Sequence, residues 1–153
     1  MDKIKQTALN IITKFQTNNP LKIIECLNII IVYDDLGNSL DGFLQQVDKH
    51  FIIHVNTRKP PCPSVIAHEL GHYFLHQSIN HFKVSKSSLF FPLEIEQEAN
   101  QFASELLLTD DMLYSMLESF HPYSIQELSS HFELPIHLIE LKLATLSKDD
   151  YHL

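Results

Sequence analysis

An α+β fold is predicted for this chain, with a small mixed sheet of about three strands packed on two helices and further helices at the C-terminus. Three observations carry that prediction. Between residues 29 and 55 lie three short stretches that are β-branched or alternate apolar with polar, as strands do. On either side, apolar residues recur at spacings of three and four, which marks amphipathic helices. The length of 153 residues, with 44% hydrophobic and 20% charged side chains, suits one domain with a proper core. That domain is expected to span residues 1–153, its N-terminal helix (1–17) and a C-terminal helical pair (120–148) included.

The elements follow in order. A helix is expected over about 2–16, then another over 20–27 with Asn19 as N-cap and Pro20 at its first position. Ile29–Tyr33 is a β-branched run stopped by Asp34-Asp35. Gly42–Val47 and Phe51–Val55 read as two more strands around Asp48-Lys49, with Phe51–Val55 a candidate sheet edge on which an extended peptide could add as a strand. Pro60, Pro61 and Pro63 close the sheet region and precede a helix near 63–77. A loop from Ser78 to Pro92 holds Phe90-Phe91, read as a core plug. A helix from Leu93 to Leu108 follows, then one capped by Thr109 and running to about 119. Ser124-x-x-Glu127 is a capping box that opens a short helix, and Leu134-Pro135 leads into a last one over Ile136–Leu146.

The 63–77 helix carries His68-Glu69-Leu70-Gly71-His72. Histidines four apart on a helix lie one turn above each other, so both rings reach one ion. Zinc accepts two imidazoles and a carboxylate and, in catalytic sites, keeps one position for water. Glu69, beside the first imidazole, is placed to take that water's proton as general base. His76 cannot join the same ion, because eight helical residues rise about 12 Å; it is expected at the surface or behind the ligands. Gly71 sits mid-helix, where it costs about 1 kcal/mol relative to Ala, so another element must approach closely there.

A third ligand is sought downstream. Apolar Ala99, Phe102, Ala103, Leu106 and Leu107 define an inward stripe, and Glu96 lies three before Ala99 and seven before Ala103. A carboxylate on that stripe needs a partner, and a cation is the simplest. Glu98 aligns with Glu94, Gln101 and Glu105 on what reads as the solvated face. Asn100, one turn after Glu96, is placed to hold a ligand histidine by a hydrogen bond.

His68-Glu69-Leu70-Gly71-His72 followed by Glu96-x-x-Ala99-Asn100-x-Phe102-Ala103-x-x-Leu106-Leu107 resembles the ImmA/IrrE family of metallo-endopeptidases. The likeness extends to Pro20-Leu21, Gly42, Ile52-Ile53-His54-Val55-Asn56, Ser124–Leu128 and Leu134-Pro135, covering about residues 18–146. Lys59-Pro60-Pro61-Cys62-Pro63 and Leu108-Thr109 depart from the family pattern without touching a proposed ligand. The resemblance implies a zincin-like, gluzincin-like fold and one Zn2+ per chain held by His68, His72 and Glu96, with Glu69 as catalytic base. It also implies a cytoplasmic protease that cuts a regulatory protein such as a helix-turn-helix repressor of a phage, mobile element or stress circuit. Two imidazoles and a carboxylate also suit iron, manganese or cobalt.

Composition removes other classes. No apolar run reaches the ~18 residues of a membrane span, and Met1–Lys5 lacks the features of a secretion signal. Two distant cysteines fit no zinc or redox spacing; Cys26 is expected in the core, and Cys62 is a remote candidate for a further ligand. A net charge of −8 disfavours direct nucleic-acid binding. The C-terminal pair resembles a helix-turn-helix, but its second helix offers only His137, Glu140 and Lys142, so it is read as a brace for the core. Tyr73, Tyr123 and His131 are candidates to stabilise an oxyanion, with none preferred. The alternative to an enzyme is a non-proteolytic, metal-containing protein that sequesters a partner. The intact motif favours the enzyme, since a binding module gains nothing from a general base beside its ligands.

Overall fold

The computed structural model describes residues 2–149, with side chains from 2 to 146; Met1 and residues 150–153 of the expected 1–153 span lie outside the described residues. Its elements are α1 (Lys3–Phe15), α2 (Pro20–Cys26), β1 (Ile30–Asp34), β2 (Gly42–Val47), β3 (His50–Asn56), α3 (Pro63–Leu75), α4 (Asn80–Ser85), α5 (Leu93–Leu107), α6 (Asp110–Leu117), α7 (Ile125–Phe132) and α8 (Ile136–Asp149). The expected α+β architecture with a three-stranded mixed sheet is present. Local chemistry sets the boundaries where the sequence placed them. Asn19 accepts from the Leu21 N–H at the start of α2, and Pro20 occupies the first turn. Ser124 and Glu127 cap α7 reciprocally.

The sheet order is β1-β3-β2, with β3 parallel to β1 and antiparallel to β2. This corrects the expected edge: Phe51–Val55 lies in the central strand and is paired on both sides. The edge near the helices is β2, and most of it is covered. Gln46 N–H donates to Lys86 O (2.8 Å), and Ser88 N–H donates to Leu44 O (2.9 Å). The expected loop over 78–92 is likewise broken by α4, which Phe82 (1% exposed) anchors in the core.

The main core joins both sheet and helices through Leu44, Ile53, Ile66, Leu70, Phe102 and Leu106, among others. A second cluster gathers Leu108, Leu113, Leu128, Leu134 and Ile139 between α6, α7 and α8. Two sequence expectations fail here for one reason. Glu105, aligned with the solvated face, and Lys142, counted on the exposed face of the last helix, are both buried and paired at 2.6 Å. Lys142 also reaches Asp110 at 2.5 Å, and Thr145 donates to Glu105 at 2.9 Å. Each buried charge is masked by its opposite, so helical periodicity alone reads both as solvent-facing. With Ser104 donating to Leu138 O (2.7 Å), these contacts dock α8 on α5. Cys26, expected inside, is exposed at the last position of α2, where Pro20, Ile23 and Ile24 supply the buried side chains.

Lys142→Ala strands Glu105 without a counter-charge and is expected to cost about 3–5 kcal/mol in urea unfolding. Burial works against ionised Asp110, but Lys142 and Lys5 outweigh it and hold the group below its ordinary 3.8. A lowered folded-state value stabilises above the unfolded one, so this contribution is present above about pH 3.8 and is lost as the pH falls further. In Asp110→Asn, stability measured from pH 5 to pH 2 should fall less steeply than in the parent.

Candidate active site

The site is built where α3 crosses α5. Pro63 opens α3, and Cys62 precedes it with Sγ 2.7 Å from Ser64 Oγ. A Cβ placed on Gly71 would lie 3.0 Å from the Ala99 Cα and 3.1 Å from its carbonyl oxygen, so the close approach expected at Gly71 is that of α5. At that separation Glu96 faces both histidines. Its Oε2 is 3.1 Å from His68 Nε2 and its Oε1 3.1 Å from His72 Nε2. The two Nε2 atoms are themselves 3.1 Å apart.

The two imidazole nitrogens and the Glu96 carboxylate thus stand about 3.1 Å from one another, with one carboxylate oxygen facing each ring. An ion with four tetrahedral bonds of ~2.0–2.1 Å spaces its ligand atoms about 3.3 Å apart, so this set fits a divalent ion with little adjustment. Glu69 lies beside the pair, since one ligand atom from each of His68, Glu69 and His72 falls within 4.8 Å of the others. Yet Glu69 is tied elsewhere. Ser88 Oγ accepts from the Leu44 N–H (2.8 Å), which aims its own hydrogen at Glu69 Oε2 (2.9 Å).

The surroundings sort the expectations further. His68 Nδ1 donates to Asn100 Oδ1 at 2.7 Å, the hydrogen bond expected of Asn100. His76 is not at the surface: it is 1% exposed, and its Nδ1 lies 2.9 Å from His72 Nδ1. Glu98 is half exposed but is not simply solvated, because its Oε2 accepts from His76 Nε2 at 2.9 Å. Sequence spacing could not show this contact, which depends on where α3 ends.

Burial decides the electrostatics of Glu69 and His72, and charged or hydrogen-bonding neighbours decide those of Glu96 and His68. Burial pushes Glu69 up to about 7, against the pull of neighbouring His68 and the Ser88 hydroxyl. It also pushes His72 down to about 4, which keeps that imidazole neutral near pH 7. For Glu96, burial would raise the group, but its contacts with His68 and His72 hold it at about 2. His68 is raised: burial opposes its charge, and Glu96 and Glu69 together outweigh that cost.

A cavity of about 420 Å³ opens onto these groups, with His68, Glu69, Glu96 and Asn100 on one side and Phe43 and Phe90 on another. Phe91 is the expected plug, stacked on His72 with ring centroids 4.8 Å apart. Phe90 is not; it is 91% exposed in a left-handed conformation (φ 61°). None of Tyr73, Tyr123 and His131 lines this cavity: Tyr73 packs on Phe51, while Tyr123 and His131 border a separate groove. His137, expected on an outer helix face, also lines it.

Residues 24–144 match the family model of the M78 peptidases, described as the IrrE N-terminal-like domain. The chain belongs to this family. Metallopeptidase ImmA of Bacillus subtilis (strain 168) is 37% identical over 145 residues, covering 94% of this chain and 85% of that protein. An uncharacterized immunity region protein 2 of Bacillus phage phi105 is 34% identical over 109 residues, covering 70% and 69% respectively. This M78 peptidase is accordingly a metallo-endopeptidase of zincin-like fold that works with a divalent metal. No helix among its described residues is long and apolar enough to cross a membrane.

If Gly71 exists to admit α5, Gly71→Val must drive the two helices apart. Overpacking of this kind costs about 1–3 kcal/mol, so a drop of several degrees in melting temperature is expected. An unchanged melting temperature would show that the contact at Ala99 is slack.

Proposed function

We propose that His68, His72 and Glu96 hold one zinc ion, that Glu69 is the catalytic base, and that residues 1–153 act as a single catalytic domain. The observation that carries this reading is the 3.1 Å triangle of His68 Nε2, His72 Nε2 and Glu96 carboxylate. Two neutral nitrogens and one carboxylate are the donor set that zinc hydrolases use. Bound there, the ion supplies Lewis acidity towards water and towards a carbonyl oxygen.

The protein does the rest. Glu69 takes a proton from the attacking water and returns it to the amine nitrogen as the peptide bond breaks. A carboxyl that burial brings to about 7 can perform both transfers near neutral pH. The Ser88 hydroxyl, itself fixed by the Leu44 N–H, keeps the carboxylate from swinging. Asn100 holds the His68 ring by its Nδ1–H.

Substrate backbone meets the sheet at a short stretch. Leu44 and Gln46 already give outward groups to residues 86–88, and strand alternation turns those of Gly42 outward next. Gly42 and Phe43 line the cavity, so an extended peptide pairs there over only a residue or two. So short a pairing gives little sequence preference, and selection falls to contacts with a folded partner.

The substrate we propose is a regulatory protein, such as a helix-turn-helix repressor of a phage or mobile element. The immunity-region name of the phage phi105 relative supports a setting of that kind. The reaction is placed in the cytoplasm, without direct contact to nucleic acid or membrane; the net charge of −8 supports the absence of a nucleic-acid footprint.

Metal analysis of the purified protein tests the site, and cleavage of a repressor encoded beside it tests the activity. Close to one zinc per chain is expected, lost in His72→Ala and Glu96→Ala but kept in Glu94→Ala and Glu69→Gln. Glu69→Gln should cut at least a hundredfold more slowly than the parent, in keeping with the usual loss of a general base. Cleavage by Glu69→Gln at the parent rate would sink the mechanism. Relief of repression by that variant without any cleavage would point to sequestration instead.

A further inference from the structure

Glu98 and His76 stand outside the triangle of donor atoms, yet a chain of hydrogen bonds connects them to it. Glu98 Oε2 lies 2.9 Å from His76 Nε2, and His76 Nδ1 lies 2.9 Å from His72 Nδ1. A carboxylate only accepts, so His76 Nε2 carries a hydrogen. A neutral imidazole has one such hydrogen, which leaves His76 Nδ1 as an acceptor and His72 Nδ1 as its donor. His72 Nε2, the atom that faces His68 and Glu96, is then a bare lone pair. Each assignment follows from the one before, and the first is made by the carboxylate at the far end.

The route through His76 has a geometric reason. Two helical residues turn through about 200°, so Glu98 points away from Glu96 and cannot reach His72. His76 closes α3 with a non-helical backbone (φ −122°), and its ring lies between the two. It is 1% exposed, and His72 is fully buried. Buried ring nitrogens on both residues therefore need partners. An apolar residue at position 76 would fill the space against Phe91 but would leave His72 Nδ1 without one.

We propose that Glu98 and His76 are positioning residues that act through His72, fixing its Nδ1–H tautomer and ring plane so that Nε2 presents a lone pair to the metal. The inference rests on the ligand assignment above. It makes α5 the source of control over both histidines: Glu96 contributes a ligand oxygen, Asn100 orients His68, and Glu98 orients His72 through an intermediary. The two imidazoles are supported unequally. His68 leans on a neutral amide, while His72 is linked through His76 to a carboxylate.

Zinc affinity, measured on the full chain by competition with a chromophoric chelator, tests the inference together with 15N NMR of the zinc-loaded protein. His76→Ala should bind zinc 10–100-fold more weakly, the usual loss when the partner of a ligand histidine is removed. Glu98→Ala, at a half-exposed position where folding is not at risk, should lose roughly tenfold. Glu98→Gln should recover most of that loss, because its amide oxygen still accepts from His76. Glu94→Ala should match the parent. In the NMR spectrum His76 should carry its proton on Nε2. A proton on His76 Nδ1, or parental affinity in Glu98→Ala and His76→Ala while His72→Ala loses zinc, would overturn the inference. Zinc retained by His72→Ala would overturn the ligand assignment itself, and this inference with it.

Discussion

The contact between Gly71 and Ala99 is the constraint on which the rest of the site depends. A helix normally keeps its neighbour 8–10 Å away, axis to axis, because side chains fill the gap. Removing the side chain at position 71 and keeping it to one methyl at 99 lets α3 and α5 approach more closely. Glu96 is a medium-length side chain, and three residues before Ala99 it reaches His68 and His72 only at that spacing. Helix packing and the placing of Glu96 against both histidines are one requirement here. The cost of a mid-helix glycine, about 1 kcal/mol, is the local trace of it.

A second consequence follows from how deeply these groups are buried. His72, Glu69 and His76 are 0%, 3% and 1% exposed. Groups of that polarity cannot sit in an apolar core unpartnered. None among the described residues does: every buried side-chain nitrogen or oxygen has a hydrogen-bond partner. The partners come from three different elements: Glu96, Glu98 and Asn100 on α5, Ser88 beside the sheet edge, and Leu44 within it. That convergence fixes ring planes and carboxylate rotamers before any substrate arrives, as the preorganisation of a catalytic site requires.

How much of this the sequence disclosed depends on whether the information was periodic. His68, Glu69 and His72 were legible because four residues make one helical turn. Glu96 was legible because it shares a stripe with Ala99 and Ala103. The helix boundaries at Asn19-Pro20 and Ser124-x-x-Glu127 followed from capping chemistry that acts over three residues. What escaped was set by contacts far apart in the chain. Glu105 and Lys142 have the side chains of surface residues and are buried only because they meet each other. Glu98 has the periodicity of a solvated position and is held by a histidine 22 residues earlier. Strand order was likewise hidden: three short strands in sequence give no sign that the last is central, since the parallel pairing of β1 with β3 skips its neighbour.

The segment from Lys86 to Phe91 shows how the sheet edge and the chemistry are coupled. Lys86 and Ser88 cover β2 with backbone hydrogen bonds, as an exposed edge demands. The Ser88 hydroxyl then reaches across to Glu69, and Phe91 stacks on His72. One short stretch thus closes the edge, holds the carboxylate and walls off a buried imidazole. These roles cannot be separated. Freeing more of β2 for a longer substrate strand would remove Ser88 from Leu44 and with it the hydroxyl that fixes Glu69. The edge left at Gly42 is short because the rest of it is taken up by the segment that holds the Glu69 carboxylate. An extended peptide laid along this edge would gain little affinity from backbone pairing, which on the function proposed above leaves selection to surfaces outside the cleft.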